Sequence, residues 1–324
     1  MANTIVSSGK ITLSRNISGT PFPSKLRDNR ASVMAGSVYE AVSKTGNYEL
    51  YRMGQIAPAV TQKLLEGGLI SNRLVSGGAF GSAIVSDDKS VSIMINEEDH
   101  VVEQCFYKGD GLAACYDKIN KIDDVIAAKQ KFSYHGKLGY LTSSPENLGT
   151  GMHVSVTLFL PGITLTKSLS QLVGIAGRLG VTVRPVYEDS VGAYVYVLTN
   201  QKTLGVSEKE IIELMETAVS RVSEAEERAR KMLKISSEAE IHDKACRSYA
   251  ILKNAYKLSA TEMISLIAWA KIGVAFGWID AECEKLDAAQ SAMLPSQLAE
   301  SSGMNFESAM DRDVYRAEAI KSLI

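Results

Sequence analysis

The segment at residues 153–160, HVSVTLFL, alternates polar and apolar side chains from His153 to Leu158. Successive side chains of an extended strand point to opposite faces, so this alternation separates one apolar side from one polar side. The apolar side carries Val154, Val156, Leu158 and Leu160. The pattern predicts a half-buried strand, and any fold of this chain must therefore contain a sheet that accommodates it.

Other segments of the first two-thirds mix strands and helices. Residues 92–95 (SIMI) end a short apolar strand, and residues 181–187 and 193–199 have the pattern of a strand pair joined by a polar turn. A long helix should follow, because Ser207 and Glu210 have capping-box spacing and apolar residues then recur every three or four positions.

The last third has the pattern of helices alone. Ser259 and Glu262 repeat the capping-box spacing, residues 263–276 are apolar, and Gly277 is a stop signal. We therefore predict two domains, residues 1–234 with strands and helices and residues 235–324 with helices only. Helices this apolar need a packing partner, which is either the first domain or a second subunit.

Composition excludes several classes of protein. The 324 residues, 45% of them hydrophobic, allow a sizeable core. The net charge of −2 and the absence of a Lys/Arg stripe predict no nucleic-acid partner. No apolar run reaches the roughly 18 residues of a membrane span, and MANTIVSSGK at the start has no apolar signal core. We expect a cytoplasmic protein.

Metal and disulfide chemistry is not predicted. The cysteines are widely spaced without a CxxC pair, and the histidines are scattered, so we expect no metal site and no disulfide framework. These residues are Cys105, Cys115, Cys246 and Cys283, with His100, His135, His153 and His242.

Five segments occur in a distinctive order. They are SSGKITLSRN (7–16), NEEDH (96–100), GYLTSSPENLGTGMHVSV (139–156), VRPVYED (183–189) and TNQKTLGVSE (199–208). Together they resemble the ATP:guanidino phosphotransferases, most of all the protein arginine kinases, over essentially the whole chain. The resemblance implies an α+β fold, with an antiparallel sheet flanked by helices and then an all-helical C-terminal domain. It also implies phosphoryl transfer from ATP, with Mg²⁺, to arginine side chains of proteins.

The guanidinium side of such a site needs carboxylates, because a protonated guanidinium must be held, oriented and deprotonated as phosphorus is approached. The resemblance assigns this role to Glu98, the second Glu of NEEDH, and a clamping role to Asp189. An isolated EED would be a solvated turn after a strand. Within the ordered set of segments we favour the functional interpretation.

The nucleotide side departs from the family. The family positions arginines around the phosphates because their planar fork supplies fixed positive charge. Those positions are occupied here by Lys10, Thr12, Val102, His153 and Arg184. One arginine remains, and each lost contact of this kind costs roughly 3–4 kcal/mol. We therefore expect weak or lost activity.

Several of these residues have alternative roles. Lys10 and His153 are equally well explained as ordinary polar side chains that face solvent. Arg73 stands where the family often has a histidine near the nucleotide base. The glycines of NLGTG, residues 147–151, allow close backbone approach to a ligand, but a tight turn would need them equally. For Arg15 we favour an ion pair with an acid over a phosphate contact.

The segment RDVYRA, residues 312–317, resembles the family's separate phosphoarginine-binding motif. Arg312 and Arg316 are four residues apart on one helix face and would grip a phosphoryl group, while Asp313 would bind the guanidinium. The alternative is an ordinary Asp313–Arg316 ion pair within a helix.

Three hypotheses follow. The chain is an active protein arginine kinase that uses Mg²⁺ and ATP, with a degraded phosphate clamp. Alternatively, it is a non-catalytic regulator that binds arginine or phosphoarginine and acts on a kinase or protease quality-control system. The third is a helical interaction module with a vestigial catalytic domain. The expected partners are arginine- or phosphoarginine-containing proteins, a protease or chaperone system, and a second copy in a homodimer.

Overall fold

The computed structural model describes residues 5–26, 29–303, 306 and 308–324. In these residues the strands are β1 (Val6–Arg15), β2 (Tyr48–Arg52), β3 (Ser82–Ser86), β4 (Val91–Ile95), β5 (Val101–Lys108), β6 (Tyr134–His135), β7 (Gly139–Tyr140), β8 (Met152–Phe159), β9 (Val181–Pro185) and β10 (Val195–Asn200). The helices are α1 (Asn29–Val42), α2 (Pro58–Glu66), α3 (Asn72–Ser76), α4 (Leu112–Ala127), α5 (Pro161–Leu165), α6 (Leu169–Leu179), α7 (Glu208–Ser236), α8 (Glu238–Asn254), α9 (Ala260–Ala275), α10 (Cys283–Ala292), α11 (Pro295–Ser302) and α12 (Ala309–Leu323).

One large sheet organises the first part of the chain. Its described strands run in the order β2-β3-β4-β5-β1-β8-β10-β9, and each neighbouring pair is antiparallel. β6 and β7 form a separate small hairpin. The α+β fold with an antiparallel sheet flanked by helices is confirmed. The strand predicted at residues 153–160 is confirmed as β8, and the predicted strand pair is confirmed as β9 and β10.

One face of the sheet carries the main apolar core of the protein. The alternation that predicted β8 places Val154, Val156 and Leu158 on this face, and Ile11 and Leu13 of β1 lie beside them. Helices α1, α4, α6 and α7 contribute the other side of this core. Burial of these aliphatic side chains contributes about 1.5–3 kcal/mol each. It is the main source of stability for the packing of these helices on the sheet.

The opposite face is divided into two halves. Over β3, β4 and β5, α2 and α3 cover an apolar cluster that includes Leu74, Met94 and Val102. Over β1, β8, β10 and β9 most of the side chains on this face are polar. Val102, which stands at a family arginine position, is therefore a packing residue beneath α2 and α3, and it does not face the polar half.

The long helix and the helical third follow the sequence prediction closely. The reciprocal Ser207–Glu210 capping box is present at the start of α7. The side chain of Ser259 accepts a hydrogen bond from the amide of Glu262 at the start of α9, and Gly277 has φ of 78° just beyond the end of this helix. The predicted boundary after residue 234 falls within the last turn of α7, which ends at Ser236.

Helices α8–α12 surround a second core, which Ala193 joins, and α9 also packs against the sheet. Phe159 at the end of β8 shares a cluster with Trp269 and Ile272 of α9 and Leu233 of α7. Both parts of the chain therefore meet around α9. None of the helices in the described ranges is long and apolar enough to cross a membrane.

Candidate active site

The polar half of the sheet face carries a continuous row of side chains. Strand pairing sets Lys10 beside Ser155, Ser155 beside Thr199, and Thr199 beside Thr182. Arg184 follows Thr182 two residues along β9, so it points to the same face. The two cations predicted to contact phosphate therefore lie on one open surface, and burial lowers the pKa of Lys10.

A cleft of about 510 Å³ opens on this surface beside β8, β9 and β10. Arg184 is an exposed cation at its edge. Its lining also includes Glu146, His153, Thr182, Val197, Thr199, Asn200 and Gln201. The hydroxyl groups and the guanidinium of Arg184 give the cleft the donors that a polyanion requires.

Thr12 lies two residues beyond Lys10 on β1 and therefore on the same face of the sheet. It pairs with Gln104 of β5 on one side and with His153 of β8 on the other. The amide oxygen of Gln104 is buried without a hydrogen-bond partner among the described residues. Sequence reasoning missed Gln104, because a glutamine within an apolar strand gives no motif signal.

His153 is occupied by protein contacts on both ring nitrogens. Nδ1 lies 3.3 Å from the carbonyl oxygen of Asn200, and Nε2 lies 3.0 Å from the side chain of Asn147. Burial lowers the pKa of His153, which favours the neutral ring. His153 thus links the NLGTG loop to the end of β10. Its ring is neutral and already engaged, unlike a cation that is available to bind phosphate.

The NLGTG loop packs too tightly for a side chain. Gly149 has φ of 104°, and a Cβ there would lie 2.2 Å from the carbonyl oxygen of Thr203. Gly151 has φ of 61°, and a Cβ would meet the carbonyl oxygen of Ser14 at 2.6 Å. These glycines are required by the turn itself.

The buried guanidinium of Arg15 binds this loop. Its Nη2 lies 3.0 Å from Asp123 Oδ2, its Nη1 donates to the carbonyl oxygen of Thr150 at 2.8 Å, and its guanidinium stacks on Tyr140. Arg15 is fully buried. The prediction that Arg15 pairs with an acid is confirmed.

A second buried acid lies beside this pair. Glu103 of β5 is completely buried, and neither carboxylate oxygen has a hydrogen-bond partner in the described residues. Burial raises the pKa of Glu103 well above its ordinary value, and the negative charge of Asp123 raises it further. A protonated Glu103 leaves the Arg15–Asp123 pair electrically balanced.

The NEEDH segment forms the tight turn between β4 and β5. Asn96 has φ of 59°. Asp99 accepts hydrogen bonds from the side chain of Asn16 and the amide of Ser143, both at 2.6 Å. His100 accepts from the amide of Ile17 at 3.0 Å. The last two residues of the segment therefore fix the turn from inside.

Glu98 projects from this turn into a second cleft. Its side chain is 31% exposed, and its Oε1 lies 2.9 Å from Arg73 Nη1. Burial raises the pKa of Glu98, while the charge of Arg73 opposes this rise. The cleft has a volume of about 460 Å³. Phe22, Phe80 and Ser143 are among its other lining residues.

The two clefts are neighbours. One loop joins them, because Ser143 lines the Glu98 cleft and Glu146, three residues later, lines the polar cleft. The structure thus places an acid next to a surface that carries Lys10 and Arg184. An acid beside an anion-binding surface is the arrangement that phosphoryl transfer to a cationic acceptor needs.

Two predicted residues make contacts that the sequence did not indicate. Arg73 was predicted near a nucleotide base, but it contacts Glu98, because α3 packs directly over the NEEDH turn. Asp189 is exposed on a 3-10 turn, Asp189–Val191, and does not line the Glu98 cleft. That turn packs against α9, and Gln290 donates to Tyr187 at 3.2 Å. The turn that carries Asp189 is therefore docked on the helical domain.

The RDVYRA segment lies on α12 with unequal arginines. Arg312 is exposed, whereas Arg316 is 3% exposed. Arg316 Nη1 donates to Asp313 at 2.5 Å and to the carbonyl oxygen of Leu258 at 2.8 Å. Its Nε donates to the carbonyl oxygen of Met293. In this conformation Arg316 holds three elements together, as the ion-pair alternative describes.

Metal-binding side chains do not gather in the part of the chain that the structure describes. Within residues 5–26, 29–303, 306 and 308–324, no group of three or more His, Cys, Asp or Glu residues could hold a metal ion.

Comparisons with known proteins agree with this geometry. Residues 31–229 match the family described as ATP:guanido phosphotransferase, C-terminal catalytic domain. Residues 238–324 match the family described as protein-arginine kinase McsB C-terminal domain.

Curated relatives are similar over nearly their whole length. The protein-arginine kinase of Caldanaerobacter subterraneus subsp. tengcongensis is 34% identical over 98% of this chain and 96% of its own. The protein-arginine kinase of Halothermothrix orenii is 33% identical over 98% of this chain and 92% of its own.

Solved structures show the same fold at lower identity. A lombricine kinase matches with a TM-score of 0.62 and 21% identity, over 70% of this chain and 67% of that one. The substrate-free duplicated taurocyamine kinase from Schistosoma mansoni matches with a TM-score of 0.65 and 21% identity, over 80% of this chain and 39% of that one.

Proposed function

The chain belongs to the ATP:guanido phosphotransferase family, among its protein-arginine kinases, and from this premise we propose that it transfers the γ-phosphoryl group of ATP to arginine side chains of proteins. One observation carries the proposal. Glu98, a half-buried acid with a raised pKa, lies in a cleft next to the polar sheet face with Lys10 and Arg184.

Glu98 supplies the chemistry on the acceptor side. The carboxylate holds the substrate guanidinium and takes its proton as the nitrogen attacks the γ-phosphorus, and ADP leaves. The raised pKa strengthens Glu98 as a base, because a carboxylate that holds its proton more tightly drives this transfer further. Asp189 is proposed as a second guanidinium contact that requires its turn to leave the helical domain.

Arg184 and Lys10 are the proposed phosphate contacts. Their shared sheet face supports this role, and the hydroxyl groups of Thr12, Thr182 and Thr199 add neutral donors. Magnesium bound with the nucleotide would supply further neutralisation of phosphate charge. Because Val102 is a packing residue and His153 is held by Asn147 and Asn200, we propose slow turnover relative to a full arginine clamp.

The proposal extends to partners and assembly. Arginine-containing proteins are the acceptors in this proposal, within a cytoplasmic protease or chaperone system. A homodimer is proposed because the end of α7 and the α8–α9 connection expose Met232, Ile235 and Tyr256. Sedimentation analysis at micromolar protein tests the dimer, and a monomer at every concentration would contradict it.

The alternative of a non-catalytic regulator is not favoured. Both curated relatives above are named kinases, and Arg316 is engaged by Asp313, Leu258 and Met293. Phosphoarginine binding at Arg312, Asp313 and Arg316 stays a proposal. A ligand would reach the exposed Arg312 first, and it would have to replace the internal bonds of Arg316.

The test is formation of phosphoarginine. The protein is incubated with ATP, magnesium and a denatured arginine-rich protein, and modified arginines are identified by mass spectrometry at neutral pH. We expect phosphoarginine with the wild type and a loss of at least about 100-fold with Glu98→Gln, the usual cost of a catalytic acid or base. Glu224→Gln, on the exposed side of α7, is the control and should leave the yield unchanged. Equal yields from wild type and Glu98→Gln would reject the proposal.

A further inference from the structure

Helix α3 is attached to the NEEDH turn by two polar contacts. Arg73 Nη1 lies 2.9 Å from Glu98 Oε1, and the hydroxyl of Ser71 donates to Glu97 at 2.5 Å. The helix is anchored from below by Leu74, which is fully buried in the cluster under α2 and α3. Its backbone is therefore held in place, while the outer part of Arg73 is free to move.

The group that contacts Glu98 is itself a guanidinium. The proposed acceptor of this enzyme is also a guanidinium, held by the same carboxylate. Two guanidinium groups cannot occupy the same position at Glu98, and their mutual repulsion in a half-buried cleft adds to the conflict. Resting on the proposed function, we propose that Arg73 is an internal competitor that occupies the acceptor position of Glu98 until a substrate arginine displaces it.

The contact is suited to reversible displacement. The side chain of Arg73 is 61% exposed and that of Glu98 is 31% exposed, so solvent screens the pair and its strength is small. A substrate guanidinium that replaces Arg73 restores the same charge balance. The barrier to exchange is therefore a side-chain rotation, with no rearrangement of the sheet.

The contact also keeps Glu98 ionised in the absence of substrate. Burial raises the pKa of Glu98, and the charges of Asp99, Glu97 and Glu146 raise it further, while Arg73 opposes them. A carboxylate left alone among these acids would take up a proton more readily. Arg73 therefore holds the acid in the form that receives an arginine, at the cost of competing with that arginine.

The first experiment measures binding without nucleotide. A capped peptide with a single arginine is titrated calorimetrically into the full-length wild type, Arg73→Gln, Arg228→Gln and Glu98→Gln. We expect Arg73→Gln to bind the peptide about two- to fivefold more tightly than the wild type, the range of a partly exposed ion pair. Arg228→Gln removes an exposed arginine of α7 that pairs with Glu224, and it should match the wild type.

The outcomes separate this inference from the proposed function. Unchanged, weaker or undetectable binding to Arg73→Gln overturns the competitor role. Undiminished binding to Glu98→Gln shows instead that the acceptor site has been misplaced, which is a failure of the proposed function.

A second experiment follows Arg73 directly. The Nε–H resonance of Arg73 in a ¹⁵N-arginine-labelled protein is assigned from its absence in Arg73→Gln. Saturating peptide should move this resonance to the position that it has in Glu98→Gln, where the ion pair is absent. A resonance that stays fixed while the peptide saturates the protein contradicts displacement, whatever the affinities.

Discussion

At the scale of single residues, buried charge explains how the candidate site is held. Arg15 is fully buried, and its contacts link helix α4 to the loop: Asp123 on α4, the carbonyl oxygen of Thr150 in NLGTG, and the ring of Tyr140. Glu103 lies next to this group without a hydrogen-bond partner among the described residues. A second negative charge there would be costly, so the folded protein should keep Glu103 protonated.

Glu103→Gln should change how stability depends on pH. The folded-state pKa of Glu103 is well above its unfolded value near 4.5. Above pH 4.5 the unfolded chain releases this proton while the folded protein retains it, so the wild type loses stability as pH rises, by up to about 1.4 kcal/mol per pH unit. Glutamine keeps the neutral shape and removes this slope.

Urea denaturation at several values between pH 5 and pH 8 measures the difference. The stability of Glu103→Gln relative to wild type should increase with pH. Glu40→Gln, at the exposed pair with Lys129, is the control and should follow the wild type. Parallel curves for wild type and Glu103→Gln would mean that Glu103 is ionised in the folded protein.

Single residues also show where sequence reasoning reached its limit. The ion pair of Arg15 was predictable, since an arginine inside an alternating apolar strand needs an acid. The packing role of Val102 and the contact of Arg73 with Glu98 were not. Both depend on α3, whose five residues are too few for a clear helical period.

At the scale of elements, the NLGTG loop is fixed by close backbone contacts. It is held by Arg15 from below, by His153 through Asn147, and by Thr203, whose hydroxyl donates to the carbonyl oxygen of Leu148 at 2.8 Å. The sequence indicated a glycine requirement but left its cause open. The backbone of Thr203 against Gly149 now gives a structural reason for it.

Gly149→Ala should destabilise the protein substantially. The new Cβ would lie 2.2 Å from the carbonyl oxygen of Thr203, at φ of 104°. Strain and displaced backbone together should cost about 2–4 kcal/mol in unfolding free energy. Gly136→Ala, in the nearby β6–β7 turn, meets no atom within 4 Å and should stay within about 0.5 kcal/mol of wild type. Thermal denaturation compares them, and equal melting temperatures would refute the packing account.

Element patterns were the most predictable part of the fold. Three signals predicted elements correctly: the alternation in β8, the capping box of α7 and the glycine after α9. Each signal spans only a few residues, so the local sequence contains all of it. The division of the sheet face into a covered and an open half depends on α2 and α3 packing against distant strands. Local patterns carry no information about such contacts.

At the scale of the whole molecule, the helical domain contacts the turn that carries Asp189. Tyr187 and Ala193, on either side of the Asp189 turn, pack into the core of α9 and its neighbours. Arg316 ties α12 to the carbonyl oxygens of Leu258 and Met293 within the same domain. A change in α12 can therefore reach the Asp189 turn through one continuous apolar core.

Arg316→Ala should destabilise the helical domain far more than Arg312→Ala. Removing Arg316 leaves buried carbonyl oxygens and Asp313 without their donor, which should cost about 3–5 kcal/mol. Arg312 is exposed, and its removal should cost less than about 0.5 kcal/mol. Urea titration of both variants tests this, and similar midpoints would show that Arg316 is not a structural link.

The most direct test of the whole account is a crystal structure with a non-hydrolysable ATP analogue and magnesium at saturating concentration. We predict that the triphosphate lies along the open polar half of the sheet, in contact with Arg184 and Lys10, with its terminal phosphate toward the Glu98 cleft. Triphosphate bound elsewhere, or an empty polar face at a concentration that saturates the protein in solution, would contradict the account.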